Sequence, residues 1–425
     1  MPAQFKNLAL DIRDYLLTCL PDFETLRSAV LASRGLHEAY VLRSKSIMHC
    51  VVSSEIGPAW PFALVLARMR DEPWEGCTDG LIVNDWIEDS QITGREAFEL
   101  IRVSKIAKQF EDMFSNREKD RTSKTSVLSD AESYRFQRAL YKLWWIREIY
   151  AADGEDNLDR PEYMQHCKVE LLGADTLTEL LELDRVWHFL ADIVKWLRLS
   201  HGPTEDDDFQ QVLMVKPESF LEAYETFDFG IILDDSQDAP NPVLREFLED
   251  RGVEPGCWID SPDDAVLVDE ILGEDDTCDK CNAEEGLNLW GEPNWSWLRG
   301  HLPPDRLPAF LPGYLGQNFT TKAELVNLTK DKGFRYEEMI KEMFEGQIDT
   351  EEYKTDGWYC WTCLTQFFKK ELYSWFVNWK RKEGHVFQPE DCWYGWNCRT
   401  QRHKLSHASR LNHFCAPTRG DQHDD

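Results

Sequence analysis

The sequence predicts a mainly α chain, with an N-terminal helical unit and a helical body, followed by an irregular α+β C-terminal region stabilised by metal. Three observations predict it. Between residues 5 and 202 apolar side chains recur at helical spacings in one segment after another. From 203 to 276 the chain turns acidic and rich in Asp and Pro, with runs such as TEDDD and SPDD, which separates that body from the C-terminal region. Beyond 277, cysteines and histidines concentrate at metal-ligand spacings, and residues 391–415 alone carry three of each. The implied division is a unit at 5–43, a body at 44–202, an acidic, partly flexible segment at 203–276, a split-cysteine domain at 277–384, and a small knuckle with its tail at 385–425.

In chain order, Leu8, Leu10, Ile12, Tyr15, Leu16, Leu17 and Leu20 predict a first helix, which Leu20-Pro21-Asp22 ends. Asp22 then caps a second helix with Phe23, Leu26, Ala29, Val30 and Leu31 inward, and a third short helix starts near Leu36. Pro58 and Pro61 split the helical stretch 44–67 in two, and 68–92 is expected to be irregular. A helix at 96–114 gives way to a polar loop at 115–124. Ser129-Asp-Ala-Glu132 has the capping-box pattern and opens a helix reaching residue 150. The adjacent Trp144 and Trp145 on it suit buried packing better than a ligand box. Further helices are expected at 176–199, 218–227 and 243–249, with a linker at 203–208.

Composition narrows the function classes. A chain of 425 residues, 42% hydrophobic and 12% aromatic, has the apolar material for a real core and two or three domains. Its 78 acidic against 47 basic residues give a net charge of −31, which disfavours nucleic-acid binding through the overall charge. The balance reverses at 380–419, with eight Lys or Arg against three acids. No stretch approaches the roughly 20 apolar residues that span a membrane, and acids interrupt the apolar pattern at the start of the chain, unlike a secretory signal. The expected setting is soluble, in cytoplasm and/or nucleus, where the twelve cysteines stay out of disulfides. Cys19, Cys50, Cys77, Cys167 and Cys257 stand alone and fit ordinary small buried side chains. No phosphate-binding glycine loop, His-Glu-x-x-His or nucleophile elbow is present, so no enzyme activity is expected.

The stretch LALDIRDYLLTCLPDFETLRSAVLASRGLHEAY resembles the degenerate F-box-like start of many fungal proteins. Its opening, Leu8-Ala9-Leu10-Asp11-Ile12, lacks the proline that usually follows the first leucine. In that family the helices dock apolar side chains onto the Skp adaptor of a cullin-RING ubiquitin ligase. Carried over by position, Leu8, Ile12, Leu16, Leu17, Leu20, Pro21 and Leu26 are the implied contacts. The same side chains fit equally the core of an N-terminal helical subdomain.

Two Cys-x-x-Cys pairs, Cys278 with Cys281 and Cys360 with Cys363, have the spacing of a four-thiolate zinc site, because a two-residue gap lets one tight turn present both sulfurs to one ion. The 78 residues between the pairs exceed the usual ribbon spacing. Loop closure grows only logarithmically, so this costs about 1 kcal/mol more than 20 residues would. Such a site is structural, since four thiolates leave no position for water. Further on, five residues separate Cys392 from Cys398 and five separate His407 from His413, with His403 and Cys415 as alternative ligands; a second zinc is expected here.

This last segment resembles the PBZ zinc finger, the poly(ADP-ribose)-binding module, through Cys392-Trp-Tyr394-Gly395-Trp-Asn-Cys398 and the His407–His413 spacing. The gap between the Cys and His pairs is longer by two, and Lys404-Leu405 stand where the family carries Asn-Pro. By the resemblance, Tyr394 and Arg399 would hold adenine and phosphate, with Arg402 a further basic candidate; the alternative is a knuckle that only folds the tail. Together the expectations are a non-enzymatic zinc-binding adaptor that recruits an unknown target protein to a ubiquitin ligase, or a reader of poly(ADP-ribose) or nucleic acid.

Overall fold

Capping side chains set the starts of several helices. The structure, a computed structural model, describes residues 8–71, 92–123, 125–152, 175–201, 215–235, 267–331, 333–347 and 352–419. The expected linker at 203–208, the helix at 243–249 and Cys77, Cys167 and Cys257 lie outside them.

Helix α1 (Leu10–Thr18) and α2 (Phe23–Ala32) both rest on α3 (Arg34–Ile56). Asp22 caps α2 as expected, accepting from the Thr25 N–H at 2.6 Å, and Glu55 of α3 accepts from the Phe23 N–H at 3.0 Å. The third helix is not short: α3 runs 23 residues, with a kink at Arg43 (φ −134°) inside it. Gly57 (φ +80°) ends α3, and α4 (Trp60–Asp71) follows with Pro61 in its first turn, where its missing N–H costs nothing.

The body continues with α5 (Gly94–Glu118), α6 (Asp130–Ala152), α7 (Leu177–His201), α8 (Pro217–Thr226) and α9 (Phe229–Asp235). Helix α5 outlasts its expected end by four residues. Ser115 stays helical, and its buried hydroxyl meets Ser126 at 2.8 Å. The Ser129–Glu132 capping box forms, with the Ser129 N–H donating to Glu132 at 2.7 Å. Trp144 and Trp145 are buried, and the Trp145 indole N–H donates to the Phe62 carbonyl at 2.9 Å. One core collects buried side chains from Leu17 to Val268. No single described helix is long and apolar enough to cross a membrane; the bent pair Arg34–Ile56 with Trp60–Arg70 comes near, but Val51, Val52 and Leu64 on it are buried in this core.

A second core spans Cys278 to Phe376. It holds α10 (Leu298–His301), α11 (Phe319–Lys330), α12 (Tyr336–Glu345) and α13 (Trp361–Lys382), with α14 (Leu405–Arg410) beyond it. The β part expected in this region is reduced, among the described residues, to three isolated bridges: Thr277 with Glu284, Trp290 with Tyr359, and Asp391 with Asn412. Short 3₁₀ turns fill the connections instead, two of them with proline in their first turn.

The cores meet where α10 lies on α7. The Trp196 indole N–H donates to the Trp297 carbonyl at 2.7 Å, and a Cβ on Gly300 would stand 2.2 Å from the Trp196 ring. Replacing Gly300 with Ala should therefore cost about 1–3 kcal/mol by overpacking, read as a lower denaturation midpoint in urea.

Glu132 ties a different seam. Burial raises its pKa, but Lys119 and the backbone N–H groups of Ser129 and Asp269 outweigh that and hold it at about 2. Its contribution is complete above the unfolded value of about 4.3 and is lost as pH falls toward 2. The Glu132→Gln variant should lack that part of the acid-side loss, measured as unfolding midpoints between those two pH values.

Candidate metal centres

Each of the two ligand sets assembles. In the first, the sulfurs of Cys278, Cys281, Cys360 and Cys363 lie within 4.8 Å of one another. The Cys281 and Cys360 sulfurs are 3.7 Å apart. Sulfurs bound at about 2.3 Å to one tetrahedral ion stand about 3.8 Å apart, whereas a disulfide would hold them near 2.0 Å. Among the described residues no cysteine is in a disulfide.

Local backbone chemistry builds this cluster. The Asn282 N–H returns to the Cys278 carbonyl at 2.8 Å with Asn282 in the left-handed region (φ +57°), which turns the chain tightly around the first pair. Cys360 is the N-cap of α13, and its sulfur accepts from the Cys363 N–H at 3.5 Å. The distant halves are joined by reciprocal bonds between Trp290 and Tyr359, at 2.9 and 2.8 Å, and by Asp279, whose carboxylate accepts from the Trp358 N–H at 2.7 Å. Burial raises the Cys278 thiol, but backbone N–H groups of Cys360, Cys281 and Lys280 overcome it and bring it down to about 7; burial pushes the Cys360 and Cys363 thiols up. Four neighbouring thiols of this kind favour a cation that displaces their protons.

In the second set, Cys392, Cys398, His407 and His413 also place their donor atoms within 4.8 Å of one another. His407 Nε2 is 3.3 Å from the Cys398 sulfur and 3.8 Å from that of Cys392. A tetrahedral ion with sulfur at about 2.3 Å and nitrogen at about 2.05 Å sets this edge near 3.6 Å. His413 supplies an independent sign. It is 2% exposed, and neither ring nitrogen has a hydrogen-bond partner. Burial, then the neighbouring His407, lowers its pKa to about 4, so the ring is a neutral, unsatisfied donor. Burying such a group costs unless a partner is supplied, and a metal ion supplies it.

The two alternative ligands fall outside the set. His403 is exposed, and the Cys415 thiol turns to the carbonyls of Cys392 and Asn412 at 3.5 Å each. Gly395 has φ +44°, and a Cβ there would stand 2.0 Å from the Cys415 carbonyl oxygen, so only glycine fits this turn. Asp391 and Asn412 bridge the knuckle's two ends, with the Cys392 N–H donating to the Asn412 carbonyl at 2.8 Å. Trp393, Tyr394, Arg399 and Arg402 are exposed on it; the Arg402 guanidinium lies 5.0 Å from the Tyr314 ring centre.

The side chains suggested for a partner divide. Leu17 and Leu26 are in the first core, Leu8 and Leu20 are half-buried, and Ile12, Leu16 and Pro21 are exposed. Leu31, expected inward, is exposed. Tyr15, which the F-box comparison does not single out, is the most exposed apolar side chain of α1. Of the isolated cysteines, Cys19 is exposed and Cys50 half-buried, so neither is the buried filler expected.

Metal content per chain tests both centres. Cys363→Ser and Cys398→Ser should each remove one metal, and together both, by elemental analysis of dialysed protein. No family model, no curated protein and no solved structure matches this chain.

Proposed function

We propose that this chain is a non-enzymatic adaptor organised by two structural zinc ions, and that its N-terminal helices dock a Skp-type adaptor of a cullin-RING ligase while the rest holds a target protein. One observation carries it. Ile12, Tyr15 and Leu16, at helical positions i, i+3 and i+4, form an apolar stripe on α1 that is 46, 68 and 38% exposed. Seven of the seventeen large exposed hydrophobic side chains among the described residues fall between Leu10 and Leu42. Apolar surface gathered this way marks an interaction site. Zinc is supported by the donor chemistry: thiolate and imidazole at tetrahedral spacing suit it, and four donors per site leave no open position for catalysis.

A second reading has its own support. Trp393 and Tyr394, 58 and 48% exposed, stand beside the ligand Cys392 on a basic segment, with Arg399 exposed nearby. This arrangement suits stacking of a base with its phosphate on a guanidinium, as poly(ADP-ribose) would offer.

In a pull-down with purified Skp adaptor, the full chain should be retained, and Ile12→Glu with Leu16→Glu should abolish retention while metal content and circular dichroism stay unchanged. Retention of that variant, or none of the wild type, overturns the first reading. For the second, Tyr394→Ala and Arg399→Ala should weaken binding of labelled poly(ADP-ribose) by about tenfold or more.

A further inference from the structure

A cleft of about 490 Å³ opens where the two cores meet, walled by Trp196, Trp290, Trp297, Trp361 and His301. The His301 ring lies 4.8 Å from Trp290 and 4.6 Å from Trp361, centre to centre. Arg117 and Arg121 of the body line the same cleft. Their guanidinium carbons are 4.8 and 5.3 Å from the Trp297 ring centre, and Arg121 also covers Trp290 at 4.2 Å.

These two arginines differ from the other inward arginines of the body. Arg70 meets Glu99, Glu148 and Glu218, and Arg138 meets Glu179 and Glu182. Arg117 and Arg121 have no ion pair among the described residues, and the Nε of each is buried without a hydrogen-bond partner. Arg117 donates a long hydrogen bond to the Tyr224 hydroxyl, at 3.4 Å. The adjacent acid, Glu118, is taken by Arg185. Burial and then the repulsion of Arg117 lower the Arg121 pKa to about 10, against the pull of Glu118. Two like charges thus stand together on an aromatic wall, neither in an ion pair among the described residues, an arrangement that a bound anion held directly by both guanidinium groups would relieve.

We propose that this cleft binds a small ligand joining a flat heterocycle to a phosphate, of the nucleoside monophosphate class, with the ring against the tryptophans and the phosphate on Arg117 and Arg121. Phosphate fits better than carboxylate because its oxygens can accept from two guanidinium forks at once. The ring is required as well. Glu118, Asp192 and Glu285 also line the cleft, so a bare anion gains little there. The volume lies within the range of about 300–1,000 Å³ usual for such ligands. The site shares no residue with the α1 stripe or with the knuckle face around Tyr394, so it stands or falls independently of both functions proposed above.

Titrating the full-length, metal-loaded chain with adenosine 5′-monophosphate tests it, read by tryptophan fluorescence and calorimetry. Saturable binding is expected, weaker by about tenfold or more in Arg121→Met and Arg117→Met, unchanged in Tyr394→Ala, and stronger than that of adenosine or inorganic phosphate alone. Absence of binding to the folded wild type, equal affinity for inorganic phosphate, or full affinity in both folded arginine variants overturns the proposal. The comparison among the three probes uses wild type only, so it decides even if a variant fails to fold.

Discussion

Closure of Cys278 and Cys281 onto Cys360 and Cys363 is the constraint on which the C-terminal half depends. It brings together turns separated by 78 residues and fixes the start of α13, because Cys360 is both a member of the cluster and that helix's N-cap. The bridge between Trp290 and Tyr359 runs alongside and puts Trp290 at the wall facing the helical body. Glycine at 291 permits this, since a Cβ there would come 2.6 Å from the Trp358 ring. The core between the pairs is small and aromatic, with few regular elements to hold itself together. An ion held by these four thiols would outweigh the roughly 1 kcal/mol of extra loop closure, since structural zinc binds in small domains with about 10–16 kcal/mol.

The second knuckle leans on the first domain through α13. Tyr373 of that helix donates to the Phe414 carbonyl at 3.0 Å, and Trp396 packs against the Tyr373 ring. Asn318 caps α11 and also donates to the buried Gln401 at 2.9 Å, while Gln401 donates to the Trp396 carbonyl at 2.9 Å. Lys380, buried near the end of α13, is paired with Glu324 and surrounded by Phe376, Phe387 and Phe414. The knuckle is therefore joined by buried polar bonds as well as by its chain connection. Disorder in either ligand set should be felt along α13, which starts at the first set and holds the Phe414 carbonyl beside the second.

What was legible in the sequence was short in range. Capping residues such as Asp22 and Ser129, helical spacings and Cys-x-x-Cys turns act within a few residues, so they could be read directly. The eight sulfur and nitrogen donors were legible because each pair is close in sequence, with two residues between its members in the Cys-x-x-Cys pairs and five in the knuckle. His407 was the preferred third ligand there, but His403 stayed open, since the choice depends on where α14 begins relative to the knuckle. The extension of α5 through Ser115 was hidden because its hydroxyl is satisfied by Ser126, a contact made only in the fold. The cleft was least visible. Arg117 and Arg121 sit in a stretch that reads as a polar loop, and their tryptophans come from segments about 80 to 240 residues further on.

Helix α1 shows how a short element can keep an apolar face in water and stay folded. Its inward side is fixed by Leu17 in the core and by Arg13, which donates to the Gly35 carbonyl at 2.7 Å, while Arg43 pairs with Asp14. These contacts all reach α3, and α3 runs on past its kink into the body, where Ile47, Val51 and Val52 are fully buried. Ile12, Tyr15 and Leu16 are separate from these anchoring residues and stay 46, 68 and 38% exposed. Covering it would remove apolar surface from water at roughly 25 cal/mol per Å² without disturbing anything that holds the helix in place. A helix anchored by other side chains can carry such a partly exposed apolar stripe and stay in place. The body supports this by carrying α3, and hence α1, as one unit.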